Sequence, residues 1–366
     1  MIKKNYCIIT IVDSISTTSM PVNEFVLFRQ RNRYELKEVI ISCSDSIPDN
    51  VEIPNDVEVY LVGHSCRTMR QVLKQVKRKC RENNESIVIH LHAQKSAMQF
   101  FMSSIGMGLR LKTLFTIHST YSSRGVRYKI SSSLCSLLSR YVNCVSNSAY
   151  REYNVVVKRL KGGRMKYIQN GVDSKRIYKT TEQLSLHENV ADMHKLVCVG
   201  RMIPIKNQQF LIHLLKELSD TKLILIGAID EKIRLLSRKE GVEDRVEMTG
   251  LLPRDEVFCR LNECGIYVSA SLVEGMPVSV LEAMSVGLVP VLSDIAPHQE
   301  VAKSGQLFKT LPLDVKEWVR VIRAYQHMEV EEKKRLSLFI KKSVYENFSL
   351  EAMQQKYMEI YEQLAK

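Results

Sequence analysis

The 366-residue chain has no apolar run approaching the roughly 18 residues that a membrane-spanning helix needs. It has no Cys-x-x-Cys pair, and its nine cysteines, at 7, 43, 66, 80, 135, 144, 198, 259 and 264, are odd in number. Most of them stand inside apolar runs, which argues against a zinc site or a disulfide framework and for buried thiols in a reducing, cytoplasmic compartment. Low-complexity segments and short repeats are missing. The opening MIKKNYCIITIVDS has no small-residue cleavage site after its apolar stretch, so it reads as a first buried strand and not as a signal peptide. One further scarcity is local. Residues 86–172 contain thirteen basic side chains and a single acid, Glu152.

That asymmetry divides the chain. The net charge is +13, yet residues 1–172 carry +14 and residues 173–366 carry −1. The first half is built to meet anions, whether phosphates, anionic lipid or nucleic acid. Nucleic acid is the weakest of these readings, since no aromatic-rich basic motif or known module accompanies the charge. With 45% hydrophobic and 25% charged residues, the composition is that of a globular protein long enough for two domains.

Short apolar runs alternate with amphipathic segments along most of the chain. Strands are predicted at 6–12, 37–43, 57–62, 87–91, 114–117 and 142–145, then at 195–199, 222–226, 246–249, 266–270 and 288–292. Helices are predicted between them, at 67–81, 97–111, 208–218, 231–239, 254–261 and 277–286. This βαβα rhythm predicts an α/β protein with two Rossmann-like domains in tandem. The first spans 1–172. A turn at Asn170-Gly-Val-Asp173 ends it, and a polar, weakly periodic stretch follows to about Met193. The second spans 173–345, and 346–366 holds a closing helix with Met353, Tyr357, Ile360, Tyr361 and Leu364 on one face.

Two motifs carry chemistry. In Glu274-Gly-Met-Pro-Val-Ser-Val-Leu-Glu282, a strand passes through a loop into a helix. Gly275 lets the backbone approach a ligand, Pro277 suits a first helical turn, and the helix start faces an anion with N–H groups and a positive dipole end. The carboxylates of Glu274 and Glu282 suit vicinal sugar and ribose hydroxyls. In Gly200-Arg201-Met-Ile-Pro-Ile-Lys206-Asn207, two cations flank a glycine turn after a strand, an arrangement fit for a diphosphate.

Together with Asn170-Gly-Val-Asp173 and the Thr249-Gly250 loop, these motifs resemble the bacterial family 4 of retaining glycosyltransferases, which have the GT-B fold. The resemblance implies a closing helix that crosses back onto the N-terminal domain. It also implies transfer of a hexose or N-acetylhexosamine from a nucleoside diphosphate sugar, with UDP the commonest nucleotide and GDP the alternative. Arg201 and Lys206 would hold the diphosphate. Glu274 would contact the donor sugar, with Gly275, Met276, Pro277 and Val278 around it, and Glu282 would bind the ribose. Gly250, Leu251 and Leu252 would cradle the base. His118, in Thr116-Ile-His118, would face the reacting centre, with Glu274, Arg201 and Lys206 completing the catalytic set.

The first half would take the acceptor, a glycan or lipid-linked saccharide, near Ser16, Thr17, Thr18, His92 and His118. His90 reads as a structural histidine. The loop Ser14-Ile-Ser-Thr-Thr-Ser-Met-Pro21 lacks the family's glycine pair, and Glu300 stands where the family has a glutamate. No cofactor and no metal is implied, and no DxD-type acidic pair stands at a strand end. The setting implied is surface polysaccharide synthesis, such as capsule or lipopolysaccharide. The enzyme would work in the cytoplasm, peripherally on the inner membrane where residues 97–112, Arg124, Arg127, Lys129, Lys158, Arg159, Lys161, Arg164 and Lys166 could meet an anionic leaflet. A GT-B nucleotide-sugar epimerase and a non-enzymatic anion- or nucleic-acid-binding protein remain as alternatives.

Overall fold

The computed structural model describes residues 5–15, 36–48, 51–121, 123–182, 192–303 and 308–366. The chain forms two compact units, Met1–Asn170 with Glu351–Lys366, and Gly171–Leu350. The first unit holds strands β1 (Tyr6–Val12), β2 (Leu36–Ser42), β3 (Val57–Leu61), β4 (Ser86–Leu91), β5 (Thr113–Ile117), β6 (Tyr141–Cys144) and β7 (Met165–Tyr167). They form one parallel sheet in the order β3-β2-β1-β4-β5-β6-β7. The order reverses between β1 and β4, which makes that crevice the topological switch point. The helices are α1 (Cys66–Glu82), α2 (Gln94–Ser103), α3 (Val126–Leu138), α4 (Asn147–Glu152) and α5 (Val155–Lys161).

The second unit holds α6 (Ser174–Glu182), β8 (Asp192–Val199), α7 (Gln208–Lys216), β9 (Lys222–Ile226), α8 (Glu231–Lys239), β10 (Val246–Gly250) and α9 (Arg254–Asn262). It continues with β11 (Cys264–Ser269), α10 (Val278–Val286), β12 (Val289–Leu292), α11 (Ala296–Lys303), α12 (Val315–Gln326) and α13 (Val330–Asn347). Its five-stranded parallel sheet runs β10-β9-β8-β11-β12, so the switch point lies between β8 and β11. Pro290 in β12 costs no ladder bond that the fold needs, because β12 is an edge strand. Two Rossmann-like α/β units in tandem are thus the architecture.

The final helix, α14 (Leu350–Ala365), packs within the first unit. Tyr361 Oη lies 2.7 Å from His90 Nδ1, whose other nitrogen lies 2.7 Å from Thr116 Oγ1. Asn143 Nδ2 donates to Tyr357 Oη at 2.6 Å. All five groups are buried, so each of these bonds meets a polar demand that water cannot reach. His90 is accordingly a structural histidine that joins β4, β5 and α14.

Several expectations need correction. The helix expected over 97–111 ends at Ser103, because Gly106 and Gly108 adopt φ of +76° and +72°, and a 3-10 turn over Leu109–Lys112 replaces its last part. Ala97 and Phe100 are fully buried and Phe101 nearly so, so the middle of this segment is core. The polar stretch after Asp173 contains α6, whose start Asp173 caps by accepting from Arg176 N at 3.0 Å. Strand β7 was not expected at all. Gly171 is explained by crowding, since a Cβ there would lie 2.4 Å from Ser349 O, where Val172 N donates to Phe348 O at 2.9 Å. All nine cysteines are free, and seven are buried. Among the described residues, no helix is long and apolar enough to cross a membrane.

Candidate functional site

In the second unit, the loops that leave β8 and β11 rise beside each other at the carboxyl end of the switch point. Gly200 follows β8 directly and bonds through its N–H to Ile226 O at 2.9 Å. A 3-10 turn, Pro204–Lys206, then brings the lysine back over the glycine, since a Cβ on Gly200 would lie 3.7 Å from Lys206 Cε. Gly227 sits under the same loop, where a Cβ would meet Gly200 O at 2.1 Å. Leu272 N donates to Ile205 O at 2.8 Å and fastens the loop after β11 to this turn.

The two motifs meet in one ion pair. Lys206 Nζ donates to Glu274 Oε1 at 2.5 Å, with the side chains 18% and 10% exposed. Ser271 Oγ donates to the same oxygen at 2.7 Å. Ser293 Oγ in turn donates to Ser271 O at 2.5 Å, and His298 Nδ1 donates to Ser293 O at 2.9 Å. That bond fixes the tautomer and leaves His298 Nε2 as an acceptor, buried and with no hydrogen-bond partner among the described residues. Burial pushes the His298 imidazole below its usual pKa, so it stays neutral. Arg201 is exposed at the edge of the turn, where its carbonyl accepts from Gln208 Nε2 at 3.0 Å.

Helix α10 starts directly after this loop, with Pro277 at its cap. Its residues from Val280 to Val286 are all buried, so Glu282 is a carboxylate inside an apolar helix. Its partner is Arg254, which opens α9 and also lies 5.0 Å from the Phe258 ring. Arg254 was missed by sequence reasoning, although it follows the Leu251-Leu252-Pro253 loop directly. Of that loop, Leu251 is well exposed, and Gly250 takes φ of +77°, which closes the turn after β10. Gly275 and Val278 are partly exposed, while Met276 and Pro277 are buried. Tyr267 Oη donates to Ser279 Oγ at 2.8 Å and so ties β11 to the start of α10.

In the first unit, His92 and His118 stand at the ends of β4 and β5, with His92 Nδ1 and His118 Nε2 3.1 Å apart. The His90 and His92 rings are tilted by 38° with centroids 3.8 Å apart, and the His92 and His118 rings stack at 5.3 Å. His118 Nδ1 is buried without a hydrogen-bond partner among the described residues, and burial pushes the His118 pKa down to about 4. Asp13, at the end of β1, accepts from Ser96 N at 2.8 Å and anchors the start of α2 beside His92. Ser16, Thr17 and Thr18 lie outside the described residues. Among those described, one cluster with metal-ligand spacing occurs, Cys7, Cys80 and Glu85 of the first unit, and it shares no residue with either motif.

Two parallel switch-point sheets in tandem are the GT-B architecture, and solved GT-B structures superpose along nearly the whole chain. A sucrose-phosphate synthase from Thermosynechococcus elongatus matches with a TM-score of 0.77, at 16% identity over 98% of each chain. Anabaena Alr3699/HepE in complex with UDP and glucose matches with a TM-score of 0.73, at 17% identity over 97% of this chain and 99% of that one. Residues 181–343 match the family described as glycosyl transferases group 1. The resemblance to family 4 of the GT-B glycosyltransferases, drawn from the motifs, therefore holds. A curated relative is a phosphatidylinositol N-acetylglucosaminyltransferase component of Arabidopsis thaliana, 26% identical over 64% of this chain and 53% of its own. Another is the putative colanic acid biosynthesis glycosyltransferase WcaL of Escherichia coli K12, 28% identical over 28% of each chain. The aligned stretches span about half or less of the length of these curated relatives.

Proposed function

We propose that the protein is a retaining glycosyltransferase. It moves a hexose or N-acetylhexosamine from a nucleoside diphosphate sugar, UDP-linked by preference, to a glycan or lipid-linked saccharide acceptor in the assembly of a surface polysaccharide. The observation that carries this reading is the Lys206–Glu274 pair at the switch point between β8 and β11. It supports the reading because a lysine that could meet a departing diphosphate and a carboxylate that could meet sugar hydroxyls are one hydrogen bond apart.

The chemistry follows from that placement. As the anomeric bond breaks, negative charge grows on the diphosphate. Lys206, released from Glu274, and Arg201 would neutralise it, together with the positive end of α10, without a metal or other cofactor. Glu274, losing its lysine, would turn to the donor hydroxyls. Glu282, held by Arg254, would present its remaining oxygen to the ribose, and the turn at Gly250, Leu251 and Leu252 would line the base. Gly275, Met276, Pro277 and Val278 would border the sugar. On the acceptor side, His118 would act as a neutral hydrogen-bonding group beside His92, with Ser16, Thr17 and Thr18 supplying hydroxyls. The work would be cytoplasmic, at the membrane surface when the acceptor is lipid-linked.

A thermal-shift screen of nucleotide sugars tests the donor, because a ligand that binds only the folded state raises its melting temperature. NMR of the product anomer formed with an acceptor then tests retention. No shift with any nucleotide sugar, or an inverted product, would overturn the reading.

A further inference from the structure

Two helices of the first unit turn apolar side chains outward and polar ones inward. Along α3, Val126, Ile130, Leu134 and Leu137 recur at spacings of four, four and three, which places them on one helical face. That face points outward, with the four side chains 37–71% exposed. The buried positions of α3 are instead Ser132, Cys135 and Ser136. Their hydroxyls are satisfied by Tyr153 Oη, 2.8 Å from each serine oxygen. Helix α5 does so in part: Val157 enters the core, but its other apolar side chains do not. Val155, Val156 and Leu160 are exposed, while Lys161 is buried and donates to Leu137 O at 3.1 Å and to Ser139 O.

The two helices pack against each other, and Lys161 of α5 bonds to Leu137 O at the end of α3, so their exposed apolar side chains are carried by neighbouring elements. A helix made for water would expose the serines and the lysine and bury the branched side chains. Here Ser132, Ser136 and Lys161 are hydrogen-bonded inward, and the seven exposed apolar side chains named above are left without cover.

The charge around this surface specifies what covers it. Arg127 and Arg159 are exposed within the two helices, and Arg124, Arg140, Arg151 and Arg164 are exposed in the adjoining turns and in α4. Glu152 is the one acid from residue 86 to residue 172. Apolar side chains set among cations match the interface of an anionic bilayer, where the branched side chains enter the acyl boundary and the guanidinium groups stay with the headgroups.

We propose that the outer faces of α3 and α5 form a docking surface that inserts shallowly into an anionic lipid leaflet. The surface stands on its own geometry. The reading of the acceptor as lipid-linked gives it a purpose but does not supply its evidence. It shares Arg124, Arg127, Arg159 and Arg164 with the membrane surface expected from the sequence, and it adds the apolar faces of α3 and α5, whereas Ala97 and Phe100 of the segment 97–112 are core.

The test uses the full chain and vesicles of phosphatidylcholine alone or mixed with phosphatidylglycerol, at low and high salt. Co-sedimentation should require phosphatidylglycerol and weaken with salt. A variant with Ile130→Ser, Leu134→Ser, Val156→Ser and Leu160→Ser removes no buried group, so its melting temperature should stay near that of the parent. Its partitioning should fall by more than about tenfold. The chain has a single tryptophan, Trp318, which is fully buried in α12. A Val156→Trp variant therefore reports insertion through quenching by brominated lipid. Binding that the four serines leave unchanged, or no quenching of the added tryptophan, would overturn the proposal. So would a stable dimer in sedimentation that the four serines dissociate, because the surface would then belong to a second copy. Donor thermal shifts measured without vesicles are independent of all these outcomes, so loss of docking and loss of the catalytic reading are separable.

Discussion

The ammonium of Lys206 and the carboxylate of Glu274 are joined by a 2.5 Å hydrogen bond, although the residues lie in different motifs of the second unit. Each is the other's counter-charge in a partly desolvated crevice. A diphosphate arriving there would compete for the lysine, and a sugar for the carboxylate, so donor entry would exchange one set of charge-assisted bonds for another.

If this exchange operates, Lys206→Met should lower turnover far more than it weakens donor binding, because the charge it answers develops in the transition state. A loss on the order of a hundredfold or more in kcat is expected, by analogy with removal of other charge-stabilising donors. Steady-state kinetics with varied donor checks it. A variant that changes KM alone would leave Lys206 as the keeper of Glu274 and nothing more.

Glu282 is held in α10 by Arg254, with the carboxylate side chain only 2% exposed. Removing one partner of a buried pair strands the other. Arg254→Met should therefore destabilise the protein by about 3 kcal/mol or more, while Glu282→Gln, which keeps a polar group of the same shape, should cost less. Urea unfolding of the two variants measures the difference. Equal stabilities would show that the pair is solvated in solution.

Burial lowers the His118 pKa from its ordinary 6.5 to about 4. Between those values the unfolded chain binds a proton that the folded chain refuses, so stability contributed by this site falls as pH drops from 6.5 to about 4 and is flat above 6.5. Imidazole NMR should show His118 neutral at pH 6. A His118→Gln variant should lose less stability than the parent on acidification through that window. An ordinary midpoint near 6.5 would exclude the buried environment.

Gly171 leaves no room for a side chain beneath Ser349 and Leu350. Gly171→Ala should lower stability on the order of 2 kcal/mol, since the obstructing atoms are backbone and cannot rotate away. A melting temperature equal to the parent's would mean that the crossing of 172 and 349 is loose in solution.

Much of this was legible in the sequence, for identifiable reasons. Parallel strands buried on both faces write themselves as apolar runs, and β1, β9 and α8 fall where those runs and helical spacings placed them. The donor motifs were readable because a strand, a glycine turn and a helix start are local features. What could not be read depends on partners distant in sequence. Arg254 and Glu282 are 28 residues apart, and neither carries a mark that names the other. Strand β7 is three residues long, with two of them exposed, too short for a period to register. Helix α3 was not among the predicted helices, and the direction of its apolar face is not written in the sequence either. Periodicity reports that apolar side chains share a face, but not that the face is turned outward.

The closing helix bears on how the chain is made. Tyr357 and Tyr361 complete bonds to Asn143 and His90 in a sheet whose strands all precede residue 170. During synthesis those strands leave the ribosome nearly two hundred residues ahead of their last partner. The second unit has no such debt, since it is continuous from Gly171 to Leu350. The unit begun first is therefore finished after the second, and its buried His90 must wait for Tyr361 of α14 before both its hydrogen bonds close. Stopping translation before Tyr357 would leave the later-made unit whole and the earlier-made one open.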